Sequence, residues 1–406
     1  MWRIGIDIGG TFTDFVIHDP EAGSITTFKL LTDSKNPAAA VICGLEKYIN
    51  NHSLQIIHGS TVATNTLLEK RGARTALITT RGFKDILQIG RQNRPNIYDW
   101  NKAPPPALVP SALRLEVDER VDAKGEVLIP VDTGQIDKVI DYLQSKNIES
   151  VAVCLIFSFL YPDHEKLIAA RLRSRGFFVS ASCEILPEFR EYERISTAVV
   201  NAYVSPILDS YLSTLQFSLK NAGLQVMQSN GGMIDISDAR QHGARCILSG
   251  PAGGVIGAQA ICQAAIGSGQ FSQRKLKVIT FDMGGTSTDV SLINGEPAFA
   301  TDANVGGYPI HLPMLDIHTI GAGGGSIAYV DPGGSLRVGP QSAGADPGPA
   351  CYGIGDLPTV TDANFLLGRL LPDYFLGGEM EIFPERAFAA ITRLGKSINL
   401  SPIQVA

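Results

Sequence analysis

The sequence predicts an α/β protein built from two related lobes, with a further α/β unit inserted in the first. Three observations predict it. An eight-residue strand–turn–strand pattern occurs twice, the first copy opens a β-β-β-α-β order, and strands alternate with helices between residues 113 and 182. The first copy of the pattern is Asp7-Ile8-Gly9-Gly10-Thr11-Phe12-Thr13-Asp14, and the second is Asp282-Met283-Gly284-Gly285-Thr286-Ser287-Thr288-Asp289. Six of the eight positions are identical at an offset of 275 residues (282 minus 7). Apolar β-type runs flank each copy, so each places an acid at the end of one strand and a glycine turn before the next.

Taken in order, residues 3–9, 13–18 and 25–30 read as three strands, an Ala-rich helix follows over 37–49, and a strand runs from 54 to 57. That order belongs to a ribonuclease H-like half-domain. His58-Gly59-Ser60-Thr61-Val62-Ala63-Thr64-Asn65 leads into a helix that reaches Arg71, and a strand is expected at 75–79. Residues 91–110 lack periodicity and read as a long loop rich in basic and aromatic residues. Long loops in compact proteins are often functional. Strands at 113–121, 149–156 and 177–181 alternate with helices at 132–146 and 161–174, which makes a second α/β unit. A long helix, interrupted near Pro206, is expected over 191–221, then a strand at 224–228. Ser249-Gly250-Pro251-Ala252-Gly253-Gly254 opens another helix, with proline in its first turn as helix starts prefer. The expected division is a first lobe over 1–110, an inserted unit over 111–185, the long helix and return to the first lobe over 186–275, and a second lobe over 276–406. Ser401-Pro402 reads as the start of a helix, so the second lobe is expected to be incomplete at its C-terminal side.

The chemistry of the repeat follows from its residue types. Paired glycines let backbone N–H groups approach an anion with no Cβ in the way. Gly9, Gly10, Thr11 and Thr13, with Gly284, Gly285, Thr286 and Thr288, are the candidate phosphate ligands. Asp7 and Asp282 are the candidate catalytic and metal-holding residues, through waters of a Mg²⁺ ion. Asp14 and Asp289 either join them or cap their turns. His58 is a further candidate catalytic residue. Thr61 and Asn65, at the start of a helix, and Arg91 and Arg94, in the aperiodic loop, are candidate substrate-binding residues. The acids at Glu191 and Glu193 are explained by a helix start alone. Asp316, His318, Asp346 and Cys351 are of types that zinc accepts, but their spacing matches no compact zinc motif.

Composition sets outer bounds. The net charge is −6 over 406 residues, with 44% hydrophobic and 18% charged positions, so no basic excess points to nucleic acid. The longest apolar stretch, 151–160, is too short to span a bilayer. The N-terminus reads as entering a strand at once, so no signal peptide is expected before the fold. The six cysteines lie far apart without a Cys-x-x-Cys pair, and Cys43, Cys154 and Cys262 are expected in the core. A reducing, cytoplasmic setting is expected.

Two ribonuclease H-like halves with Asp-containing phosphate hairpins resemble the superfamily of actin, sugar kinases and heat-shock chaperone ATPases. The motifs at residues 5–14, 58–65, 249–254, 281–289, 321–326 and 345–353 more closely resemble the hydantoinase A / 5-oxoprolinase family. That family includes hydantoin utilisation protein A, N-methylhydantoinase A and acetone carboxylase beta-type subunits. The resemblance implies ATP and Mg²⁺ as cofactors and adds Gly323 and Gly324 to the nucleotide-binding set. It implies hydrolysis of a small cyclic amide such as 5-oxoproline or a hydantoin, whose carbonyl oxygen is phosphorylated, together with a B-type partner subunit and an oligomeric assembly. It equally allows ketone carboxylation, which uses the same activating step. Family members extend well beyond 406 residues, and their adenine-side glycine motif lies past that length. Two other activities fit the fold: a sugar-kinase-like phosphotransferase with Asp14 as its base, and a non-catalytic nucleotide clamp.

Overall fold

The computed structural model describes residues 1–10, 12–33, 36–49, 53–93, 98, 105–220, 222–267, 276–344, 346–378 and 380–406. Thr11 and Arg94, both candidate site residues, lie outside the described residues.

The first lobe begins with β1 (Trp2–Ile8), β2 (Phe12–Asp19) and β3 (Ser24–Leu31), a meander of antiparallel strands. In β1 alternation puts Ile4, Ile6 and Ile8 in the core and leaves Arg3 and Asp7 on the other face. Helix α1 (Pro37–Ile49) starts on proline and buries Ala38, Val41 and Leu45, the spacing of one helical face. It leads to β4 (Leu54–Ser60), which pairs in parallel with β1. Helix α2 (Val62–Leu68) follows at once.

The chain then leaves this sheet. β5 (Thr75–Thr80), β6 (Arg114–Val117), β7 (Ser150–Cys154) and β8 (Phe178–Ala181) form a separate parallel sheet in the order β8-β7-β5-β6. Helices α3 (Thr133–Ser145) and α4 (Asp163–Ser174) supply its crossovers. The strand expected at 75–79 inside the first lobe therefore belongs to the second sheet, and that unit begins before residue 111. All six residues of β5 are buried, the pattern of a central parallel strand covered on both faces.

Helix α5 (Glu191–Ser218) returns the chain to the first lobe. Its 28 residues run without the break expected at Pro206. Proline removes one backbone bond, but sixteen residues of this helix are buried, and their packing against both sheets outweighs that loss. β9 (Ala222–Met227) then pairs in parallel with β4, and β10 (Met233–Asp235) closes the edge, giving the order β10-β9-β4-β1-β2-β3.

Helix α6 (Ser249–Gly267) crosses to the last lobe. There β11 (Lys277–Met283), β12 (Thr288–Asn294) and β13 (Ile317–Ile320) repeat the antiparallel meander. Ile279, Phe281 and Met283 correspond by the 275-residue offset to Ile4, Ile6 and Ile8; the first three are exposed and the second three buried. A four-residue helix, Pro402–Val405, ends the chain, with Ser401 as its cap as expected. Among the described residues no helix is long and apolar enough to cross a membrane. Cys154 is buried, Cys262 half-buried and Cys43 exposed, so Cys43 is not the core residue expected.

Candidate active site

The two hairpins agree bond for bond. Asp7 lies opposite Asp14 and Ile8 opposite Thr13; Asp282 lies opposite Asp289 and Met283 opposite Thr288. Each turn is closed by its first glycine: Gly9 N–H donates to the Phe12 carbonyl and Gly284 N–H to the Ser287 carbonyl, both at 2.9 Å. With those N–H groups committed, the next glycines, Gly10 and Gly285, and the exposed Thr286 are donors left open among the described residues of the turns.

Helix α6 brings the hairpins together. A Cβ on Gly250 would sit 3.1 Å from Asp7 Oδ1, and one on Gly254 would sit 3.9 Å from Asp282 Oδ2. Residues four apart share a helix face, about 6 Å apart along the axis. Both carboxylates therefore flank one stripe of α6 near its N-terminal end. Gly59, paired with Asp7 across β4, is tighter still, since a Cβ there would come within 2.8 Å of Asp7 Oδ1. The aspartates were legible in the sequence. The glycines of α6 that seat them were missed, although a Gly250/Gly254 pair at helical spacing inside a glycine-rich motif was a usable signal.

Asp7 is reached by solvent at the strand end, yet protein surrounds it on its other sides. Burial raises its pKa to about 6, and the charges of Asp14 and Asp282 add to the rise. Lys29, which pairs with Asp14 at 2.6 Å, opposes it. Burial also raises Asp289, which accepts a 2.6 Å hydrogen bond from Thr319. Asp7 and Asp282, close enough for the charge of Asp282 to raise the Asp7 pKa while Lys29 is taken by Asp14, suit a hard divalent cation held through oxygen, so the donor set fits Mg²⁺. Asp7 and Asp282 are the residues that would hold it.

Several expected ligands serve the scaffold instead. Thr13 is fully buried, its hydroxyl bonded to Thr32 at 2.9 Å, and Thr288 donates to the Ala322 carbonyl at 2.6 Å. Neither hydroxyl can reach a phosphate, because alternation turns both into their own lobes. Gly323 and Gly324 do meet the second hairpin, but as buttresses. The Gly324 and Gly325 N–H groups donate to the Gly284 and Gly285 carbonyls at 2.9 and 2.7 Å, and Gly323 N–H donates to Ser326 Oγ. These N–H groups are spent within the protein, which removes Gly323 and Gly324 as phosphate donors. Glycine is required at 323, where a Cβ would lie 2.7 Å from the Gly284 oxygen.

His58 is not a substrate contact. It is fully buried in β4, with Nε2 2.7 Å from the Tyr211 hydroxyl of α5, and burial lowers its pKa to about 4. The ring is neutral and structural. Thr61 donates to the Ile8 carbonyl at 3.0 Å and accepts from Asn65 at 3.4 Å, so the pair ties the end of β1 to α2. Arg91 is elsewhere, its guanidinium forked onto Glu193 at 2.8 and 2.7 Å. Among the described residues no cluster of three metal-ligand side chains occurs, and Cys351 is buried in the core with its thiol pushed up by that burial.

Residues 3–176 match the hydantoinase/oxoprolinase N-terminal region and residues 194–406 match the hydantoinase/oxoprolinase family proper. The chain belongs to the hydantoinase/oxoprolinase family. It is 37% identical over 422 residues to the caprolactamase subunit alpha of Pseudomonas jessenii, covering 99% of this chain and 59% of that one. The crystal structure of the ATP-dependent caprolactamase from that organism superposes with a TM-score of 0.80 at 36% identity, over 99% of this chain and 60% of that one. The Saccharomyces cerevisiae 5-oxoprolinase is 37% identical over 425 residues, which covers 92% of this chain and 32% of that protein. The nucleotide-free acetone carboxylase structure gives a TM-score of 0.82 at 28% identity, over 99% of this chain and 60% of that one. The chain thus spans a third to three fifths of these relatives, whose mixed α/β fold with parallel sheets it shares.

Proposed function

We propose that this chain is the nucleotide-binding part of an ATP-dependent cyclic amide hydrolase. The observation that carries the reading is the convergence of two registered Asp-x-Gly-Gly hairpins on one glycine stripe of α6. In this reading the outer lobes are ribonuclease H-like halves facing each other across a nucleotide. Asp7 and Asp282 would hold Mg²⁺, which would supply charge neutralisation at the phosphates, and the Gly10 and Gly285 N–H groups with the Thr286 hydroxyl would steady the phosphates.

An unstrained amide resists water because resonance stabilises it. Transfer of the γ-phosphoryl group to the carbonyl oxygen releases ADP and makes the carbon electrophilic. Water then adds, the C–N bond breaks as the nitrogen takes a proton, and a second water releases phosphate from the acyl phosphate. The products are a carboxylate, an ammonium group, ADP and phosphate. Positioning and electrostatics are the chain's contribution to the first transfer. A B-type subunit completes the hydrolysis, in a cytoplasmic, oligomeric assembly.

The relatives named 5-oxoprolinase and caprolactamase support a lactam substrate. Likeness to acetone carboxylase supports a second reading, ketone carboxylation through the same activating step. The test is ADP release by the chain with its partner subunit on addition of 5-oxoproline or caprolactam. Turnover that ignores lactams but responds to a ketone and bicarbonate selects the second reading. Accumulation of a stable phosphorylated product selects a sugar-kinase-like activity instead.

A further inference from the structure

A cavity of about 860 Å³ lies between residues 87–93, the first turns of α5 and the hairpin formed by Ala303–Val305 and Tyr308–Ile310. Its size is that of a small-molecule pocket, roughly 300–1,000 Å³. Its roof is fastened to α5: Ser196 Oγ donates to the Pro309 carbonyl at 2.7 Å and His311 N–H to Thr197 Oγ1 at 2.9 Å. The Tyr308 hydroxyl adds a 3.0 Å bond to the Pro106 carbonyl. The chamber is therefore built before any ligand arrives.

None of its lining residues belongs to either hairpin. Tyr211, which touches His58 beside Gly59 and Asp7, lies 18 residues beyond Glu193 on α5 (211 minus 193). At the helical rise that is roughly 27 Å.

The charges on the walls say what fits. Arg91 spends two of its five N–H donors on Glu193, whose charge offsets its own and whose oxygens each keep a second lone pair. Asp302 holds His311 Nδ1 through Oδ1 at 2.5 Å and, among the described residues, has no hydrogen-bond partner at Oδ2. Arg190 lines the same space and, among the described residues, pairs with no carboxylate; its guanidinium rests over the Phe189 ring. Leu87, Leu108, Val199 and Ile310 supply the apolar wall. One unpaired cation, spare carboxylate oxygens and a hydrocarbon surface complement a small flexible zwitterion.

We propose that this cavity binds an ω-amino acid, its carboxylate on Arg190, its ammonium on Asp302 and Glu193, and its methylenes on the apolar wall. This rests on the cyclic amide reading above, because ring opening yields that pair of charges. The cavity is then a product site, lined by residues other than those of the two hairpins.

The test is calorimetry on the 406-residue chain without nucleotide, using 6-aminohexanoate, hexanoate, hexylamine and caprolactam as probes. The expected result is binding of 6-aminohexanoate with Kd below about 1 mM and at least tenfold weaker binding of the three others. Arg190→Gln and Asp302→Asn should each weaken it at least tenfold at an unchanged melting temperature, and Arg190→Lys should recover part of the loss. No heat from 6-aminohexanoate, equal heats from caprolactam, or indifference to Arg190→Gln would overturn the proposal. Lactam-dependent ADP release is a separate measurement, so failure of the catalytic reading and failure of the cavity proposal are told apart.

Discussion

Replacing Asp7 by Asn should separate stability from activity. The side chain is nearly isosteric, so the Gly59 and Gly250 contacts survive. The wild-type carboxyl titrates at about 6 in the fold against an ordinary value of 3.8, a difference of about 2.2 (6 minus 3.8). Fully shielded, that would be about 3 kcal/mol; with solvent reaching the strand end it is reduced to about 1 kcal/mol. Because the folded value is raised, the folded state holds the extra proton between pH 3.8 and about 6. Stability from this group is fully present below that window and lost as pH rises through it. Asp7→Asn should therefore match the wild type at low pH and exceed it by about 1 kcal/mol near neutrality, a rise of about 1–3 °C in melting temperature. Lactam-dependent ADP release, measured with the partner subunit, should fall about 100-fold or more, the usual loss when one electrostatic group is removed from a reaction centre. Adding Asp282→Asn should cost little more, since both would act on one metal–phosphate assembly. Full turnover in Asp7→Asn, or turnover lost only in step with a falling melting temperature, would refute the two-hairpin cleft.

Gly323→Ala drives a Cβ against the Gly284–Gly285 backbone and strains two hydrogen bonds. A loss of about 2–4 kcal/mol is expected by denaturant titration, together with weaker Mg·ATP binding by calorimetry. His58→Leu leaves the Tyr211 hydroxyl unpaired and should cost about 1–3 kcal/mol. Turnover per folded molecule should be kept, and a specific fall in kcat would restore a catalytic histidine. Arg194, fully buried, bonds the Leu155 carbonyl at 2.8 Å and lies 4.0 Å from buried Glu165. Arg194→Met should cost about 3–5 kcal/mol in the same titration, by removing the cation beside that carboxylate and leaving the Leu155 carbonyl without its bond, while Glu165 keeps those from Leu155 N–H, Cys183 N–H and Ser182.

The amino-acid sequence by itself determined the local and repeated features. Helix α1 runs from Pro37 to Ile49 as expected, because its proline start and apolar spacing are local signals. The hairpins were legible because the same turn chemistry occurs twice, and a glycine turn is specified within four residues. The partnerships were decided by the tertiary structure. β5 joined the second sheet because strand pairing depends on which buried surfaces meet, and adjacency in sequence does not report that. Pro206 stayed within α5 because packing outweighed one lost backbone bond. His58 became a neutral core residue because only the fold places Tyr211 against it. Thr13, Thr288, Gly323 and Gly324 carry residue types that bind phosphate, yet their hydrogen-bonding groups are consumed inside the protein. A donor's type is written in the chain, but whether it remains free depends on which neighbour the fold puts within 3 Å.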